Sequence, residues 1–151
     1  MAAFWTIAVT ILLLDQVTKN IILTSFGLHD SLPVLPGFFN LTYVRNTGAA
    51  FGILAGQESW RHLFFQMISV LALGAIVYLF WTSKRDKLAL WGSALVLGGA
   101  AGNLVDRVRF GYVVDFLDFF IGSYHWPAFN IADSSITVGA FILAMKFLRE
   151  K

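Results

Sequence analysis

Two apolar runs without a single charge, residues 63–82 and 88–105, stand almost back to back, parted only by the stretch Ser83-Lys84-Arg85-Asp86-Lys87. A membrane-crossing helix needs about 20 mostly apolar residues, and both runs qualify. Two further runs are interrupted. Residues 2–14 meet Asp15 and Lys19 before resuming at 21–23, and residues 131–145 are broken only by Asp133. The composition agrees. Hydrophobic residues make up 58% of the chain and charged residues 13%, about half the ~25% charged share of an ordinary soluble domain. A soluble globule has too much polar surface to cover for such a mixture. The reading is an integral membrane protein of the all-α class, one domain over residues 1–151. Four transmembrane helices are expected at about 3–25, 62–82, 88–106 and 130–148. Outer segments are expected at 26–61 and 107–129.

Several chemistries are excluded. With no cysteine there is no disulfide, thiolate nucleophile or cysteine metal site. A net charge of +2, scattered along the chain, is no nucleic-acid footprint. His29, His62 and His125 are far apart and no H-E-x-x-H occurs, so a histidine metal centre is not expected. Ser134 and Ser135 lack a G-x-S-x-G context and read as helix-start residues. The N-terminal run lacks a basic leader and an A-x-A-like site, so it reads as a retained span and not a cleaved signal.

Basic clusters at Lys84, Arg85, Lys87 and at Lys146, Arg149, Lys151 are cytoplasmic anchors under the positive-inside rule, which puts both termini in the cytoplasm. Arg45, Arg61, Arg107 and Arg109 then fall on the outer side against that rule, and some of them read as site residues. The first outer segment holds Pro33, Pro36 and Gly37, an alternating run over 39–44 and the turn Asn46-Thr47-Gly48. Residues 49–54 are apolar again. A small extracytoplasmic β-containing segment and an interfacial amphipathic stretch are expected there, the stretch serving as a lid.

Buried carboxylates are costly, so those beside apolar runs invite a function. Gly98 and Gly102 form a small-xxx-small pair suited to close helix packing. Asn103, Asp106 and Arg107 follow, either as site residues or as a span end with a local ion pair. Asp115 has only apolar neighbours, and Asp118 is its rival. Asp133 falls near the first turn of the last span, where it is a site residue or a helix N-cap. Topology brings Asp115 and Asp133 to the same membrane boundary. Two facing carboxylates in a low dielectric share a proton. Such a pair acts as base toward water and acid toward a leaving amine. Asp15 and Lys19, spaced i,i+4, pair along one helix face. Two other readings stay open: Asp106, Asp115, Asp118 and Asp133 holding Mg²⁺ in a membrane transferase, or buried carboxylates carrying protons or ions.

Four motifs in order resemble the prokaryotic lipoprotein signal peptidases (signal peptidase II). They are Asp15-Gln16-Val17-Thr18-Lys19, Arg45-Asn46-Thr47-Gly48-Ala49-Ala50-Phe51, Gly102-Asn103-Leu104-Val105-Asp106-Arg107 with Val113-Val114-Asp115-Phe116, and Phe129-Asn130-Ile131-Ala132-Asp133-Ser134. The resemblance implies an intramembrane aspartyl endopeptidase of the bacterial inner membrane, with its site near the outer leaflet. It would cleave diacylglyceryl-modified prolipoproteins just before the lipidated cysteine. It implies Asp115 and Asp133 as the catalytic pair and Asn46, Gly48, Asn103, Arg107 and Asn130 as substrate-binding residues. Asp15, Lys19 and Asp106 would support the fold. It implies no metal or cofactor, a monomer among membrane lipids, and inhibition by globomycin.

Overall fold

The computed structural model describes residues 1–48, 58–83 and 86–149, without the side chains of 58–62 and 65. The expected amphipathic stretch and lid at 49–54, the basic residues Lys84, Arg85 and Lys151, and the side chains of Arg61 and His62 lie outside the described residues.

Four helices and one small sheet account for the described chain: α1 (Ala2–Ser25), β1 (Ser31–Leu35), β2 (Phe39–Asn46), α2 (Glu58–Thr82), α3 (Lys87–Phe110), β3 (Val113–Ile121), β4 (Tyr124–His125) and α4 (Ile131–Arg149). Helices α1, α3 and α4 are long and apolar enough to cross a membrane. In α2 the described apolar run covers Gln66–Thr82. The burial pattern is inverted relative to a soluble bundle. The stripe Phe4, Ala8, Asp15, Lys19, Ile22 of α1 faces inward, while Val9, Leu13, Leu14, Val17 and Ile21 point outward. A face of bare aliphatic side chains is what hydrocarbon solvent accepts, and the charges retreat inside where they find partners.

Helix α3 is the centre of the bundle. Its small residues let neighbours approach on two sides. A Cβ on Gly98 would lie 2.6 Å from the carbonyl of Ala8 in α1, and one on Gly92 2.9 Å from the carbonyl of Gly139 in α4. Asp86 caps the start of α3, accepting the amide of Ala89 at 2.7 Å. Gly111, at φ 78, ends it in the left-handed conformation that glycine tolerates. The helix therefore runs four residues past the expected end at 106, and Arg107 and Arg109 lie on its last turn and not in a loop.

The sheet is larger than expected. Its order is β1-β2-β3-β4, all antiparallel. The β-prone run at 39–44 is indeed a strand, but its main partner is β3, in the segment 107–129 read only as an outer loop. The expected helical fold with a small β-containing segment is met in outline, and its β part is a four-stranded sheet drawn from both segments read as outer loops. Strand β3 is buried on both faces at its start because β2, α1 and α3 surround it, so it lacks the alternation that marks a one-sided strand. Between Leu41↔Leu117 and Val44↔Asp115 the register slips by one residue. That bulge puts Val44 and Asn46 on the side of Asp115. After β4, Phe129 bonds back to β3, accepting the amides of Phe116 and Leu117 at 3.0 and 2.8 Å. This brings the start of α4 against the Asp115 strand.

Candidate active site

Asp115 lies on β3 and Asp133 in the first turn of α4. One side chain joins them. Asn130 Nδ2 donates to Asp115 Oδ1 at 2.7 Å, and Asn130 Oδ1 accepts the amide of Asp133 at 2.8 Å. Asn130 is therefore the N-cap of α4, and Asp133 stands three residues in, which corrects the alternative reading of Asp133 as the cap. Freed from capping, the Asp133 carboxylate accepts Asn103 Nδ2 at 2.8 Å. Asn103 Oδ1 in turn accepts Lys19 Nζ at 3.0 Å and Asn130 Nδ2 at 3.3 Å. Asn46 donates its side-chain hydrogen bond to Asp115, while its own Oδ1 accepts the amide of Gly48 at 2.9 Å. That short turn, with Gly48 at φ 77, holds the Asn46 amide toward the carboxylate.

Beneath the pair lies a buried ion cluster. Lys19 Nζ stands 2.9 Å from Asp15 and 2.9 Å from Asp106. The i,i+4 pair expected in α1 forms, and Asp106 of α3 joins it. Both carboxylates also grip backbone. Asp15 Oδ1 accepts the amide of Ala132 at 2.9 Å, and Asp106 Oδ2 accepts that of Val114 at 3.0 Å. Gln16 completes the cluster, donating to Asp106 Oδ1 at 3.0 Å and to the carbonyl of Gly102 at 3.2 Å. Gln16 had no assigned role. A polar amide beside two charges in an apolar helix is the signal that marks it.

A cleft of about 590 Å³ opens over Asp115, bounded by residues 44–48, Arg107, Pro127 and Ala128. A second cleft of about 460 Å³ runs from Asp133 along Thr137 and Val138 of α4, and Pro127 and Ala128 wall it too. Arg107 acts electrostatically on Asp133, Asp106 and Asp115. Burial, then the charge of Asp133, pushes the Asp115 carboxyl up to about 7, against the lowering effect of Asn46, Asn130 and Lys19. All ten residues expected at the site or its support are thus brought into one connected region.

Asp118 is set apart. Three positions along a strand put it on the opposite face from Asp115. It bonds His125 Nδ1 at 2.7 Å and Asn40 Nδ2 at 2.9 Å. The four carboxylates of the Mg²⁺ reading are therefore divided: Asp106 is held by Lys19 and Asp118 by His125. Among the described residues no group of three or more His, Asp or Glu converges as a metal site would require.

A family model for signal peptidase (SPase) II matches residues 7–149. A lipoprotein signal peptidase of Syntrophus aciditrophicus is 52% identical over 143 residues, covering 93% of this chain and 89% of its own. That of Geobacter sulfurreducens is 50% identical over 141 residues, covering 93% and 88%. A solved bacterial membrane enzyme superposes with a TM-score of 0.90 at 41% identity, covering 100% of this chain and 96% of its own. Matched by the model along nearly its whole length, the chain belongs to the signal peptidase II family.

Proposed function

We propose that this protein is an intramembrane aspartyl endopeptidase that removes the signal peptide of diacylglyceryl-modified prolipoproteins just before the lipidated cysteine. The observation that carries the reading is Asn130 bonded to Asp115 and to the Asp133 amide at once, which ties together two carboxylates that border adjoining clefts sharing Pro127 and Ala128. Four spans, both termini in the cytoplasm and a site at the outer leaflet of the bacterial inner membrane follow from the same reading. The sheet lies at the end of the bundle where α1 and α3 finish and α4 begins, which supports one-sided placement.

Burial and the neighbouring Asp133 raise the Asp115 carboxyl to about 7, so the pair shares a proton, which this reading assigns to Asp115. Asp133 takes a proton from water as the water oxygen attacks the scissile carbonyl carbon. Asp115 gives its proton to the carbonyl oxygen. The tetrahedral diol collapses as Asp133 gives its proton to the amine nitrogen and the C–N bond breaks, and Asp115 takes back a proton from one hydroxyl, which leaves the new carboxylic acid and restores the pair. Asn46, Asn103 and Asn130 keep both carboxylates oriented, and Arg107 offers a cation to peptide oxygens in the cleft. Gly48 lets the backbone turn that holds Asn46. Asp15, Lys19 and Asp106 support the fold. No metal takes part. Globomycin would occupy the region of the pair and block it.

Cleavage of a diacylated prolipoprotein by purified protein tests the reading. Asp115→Asn and Asp133→Asn each abolish it while the protein still inserts and purifies, and Asp118→Asn does not. Full activity of Asp115→Asn, or chelator-sensitive activity of the wild type, would overturn the assignment.

A further inference from the structure

The positive-inside rule disfavours arginines at the outer end of a bundle, yet Arg45 and Arg109 both stand there without a carboxylate. Among the described residues neither takes part in an ion pair, and both are exposed. Residue 45 borders the cleft, but it pairs across the sheet with Val114 and not with Asp115, so its side chain leaves from the other face. There the guanidinium lies 4.7 Å over the Tyr112 ring and 5.6 Å from the Tyr43 ring. Its Nε donates to Tyr43 Oη at 2.9 Å, and the Tyr43 and Tyr112 hydroxyls meet at 3.2 Å. Arg109 lies 4.7 Å over Phe110, whose ring stacks on Tyr112 at 5.7 Å. Two arginines are thus laid on one continuous aromatic bed.

Rings under a guanidinium hold its plane and leave its terminal N–H groups directed outward. The fork of outward donors matches a phosphate oxygen pair. The bed joins Tyr43 of β2 and Tyr112 to Phe110 in the last turn of α3, where Val108 is 66% exposed, so the apolar wall of a spanning helix runs up to it. A ligand at this border meets hydrocarbon on one side and, on the other, two cations that form no ion pair among the described residues. We propose that Arg45 and Arg109, supported by Tyr43, Tyr112 and Phe110, bind the phosphate of a bilayer phospholipid and pin the sheet to the membrane surface. The proposal rests on the sheet end of the bundle lying at the bilayer border, and not on the peptidase chemistry.

Binding is the readout, so its failure is distinct from a failure of proteolysis. Full-length protein in maltoside micelles is titrated with dioctanoyl phosphatidylglycerol, dioctanoylglycerol or inorganic phosphate, and retained lipid is counted by native mass spectrometry. Arg45→Gln with Arg109→Gln weakens phosphatidylglycerol retention by about 30-fold and leaves dioctanoylglycerol unaffected. Equal retention by wild type and variant overturns the site. Displacement by inorganic phosphate at matched concentration overturns the lipid as its ligand. Should the glutamine pair fail to fold, Arg45→Lys with Arg109→Lys keeps the charge and loses the fork. That pair weakens retention on the order of fivefold, and no change in it overturns the proposal.

Discussion

Asp15 in the first helix accepts the amide of Ala132 at 2.9 Å, one residue before Asp133 and 117 residues along the chain. Asp106 does the same for Val114, one residue before Asp115. Lys19 stands between the two carboxylates. A single ammonium therefore sets the backbone on which both proposed catalytic side chains are mounted.

Lys19→Met tests that arrangement. It leaves two buried carboxylates facing each other without a counter-charge, which costs roughly 3–5 kcal/mol. Thermal unfolding in micelles shows the loss, and turnover falls with it. Lys19→Arg restores part of both.

Gly102→Ala puts a Cβ 2.5 Å from Asp15 Oδ2. That carboxylate cannot give way without releasing Lys19 or Ala132. The substitution destabilises by about 1–3 kcal/mol, and kcat falls more than KM rises because the displaced group is a backbone support. A stability and turnover equal to wild type would show that the contact relaxes freely.

The pH dependence follows from Asp115, whose carboxyl is raised to about 7 from an ordinary value of 3.8. A raised folded-state value gives stability that is fully present below 3.8 and lost as pH rises through about 7. Turnover requiring that proton declines over the same upper window. Asn46→Ala removes a hydrogen bond that favours the ionised form, so the alkaline limb of the kcat/KM profile moves to higher pH. A limb that stays in place would separate it from Asp115.

His125→Ala breaks a pair on the far face of β3 from Asp115, with the histidine side chain 51% exposed. The expected loss is within about 1 kcal/mol, read by thermal unfolding, with turnover unchanged. A collapse in turnover would tie that face to the chemistry.

Much of the site was legible because charges are rare in this chain. Asp15, Lys19, Asp106, Asp115 and Asp133 stand out against apolar neighbours, and the i,i+4 pair in α1 is readable from spacing alone. What spacing could not show is contact across the chain. The apolar segment Val113–Ile121 carries no clean alternation, because its early residues are covered on both faces, so strand β3 reads as membrane-edge sequence. The bulge that turns Asn46 toward Asp115 exists only once β2 and β3 pair. Asn130, as cap and clamp together, takes from Asp133 the terminal role that local preference suggests. The amide partners of Asp15 and Asp106 are backbone groups, which no side-chain pattern announces.

The buried cluster also has a history within each molecule. Asp15 and Lys19 can neutralise one another while α1 enters the bilayer alone, but Asp106 meets its counter-charge only when α3 docks against α1. Ala132 of α4 likewise has no carboxylate for its amide until α4 reaches Asp15 of α1, and until both contacts form the two aspartates are not held in register. The arrangement proposed for hydrolysis is therefore complete only when α1, α3 and α4 have all come together.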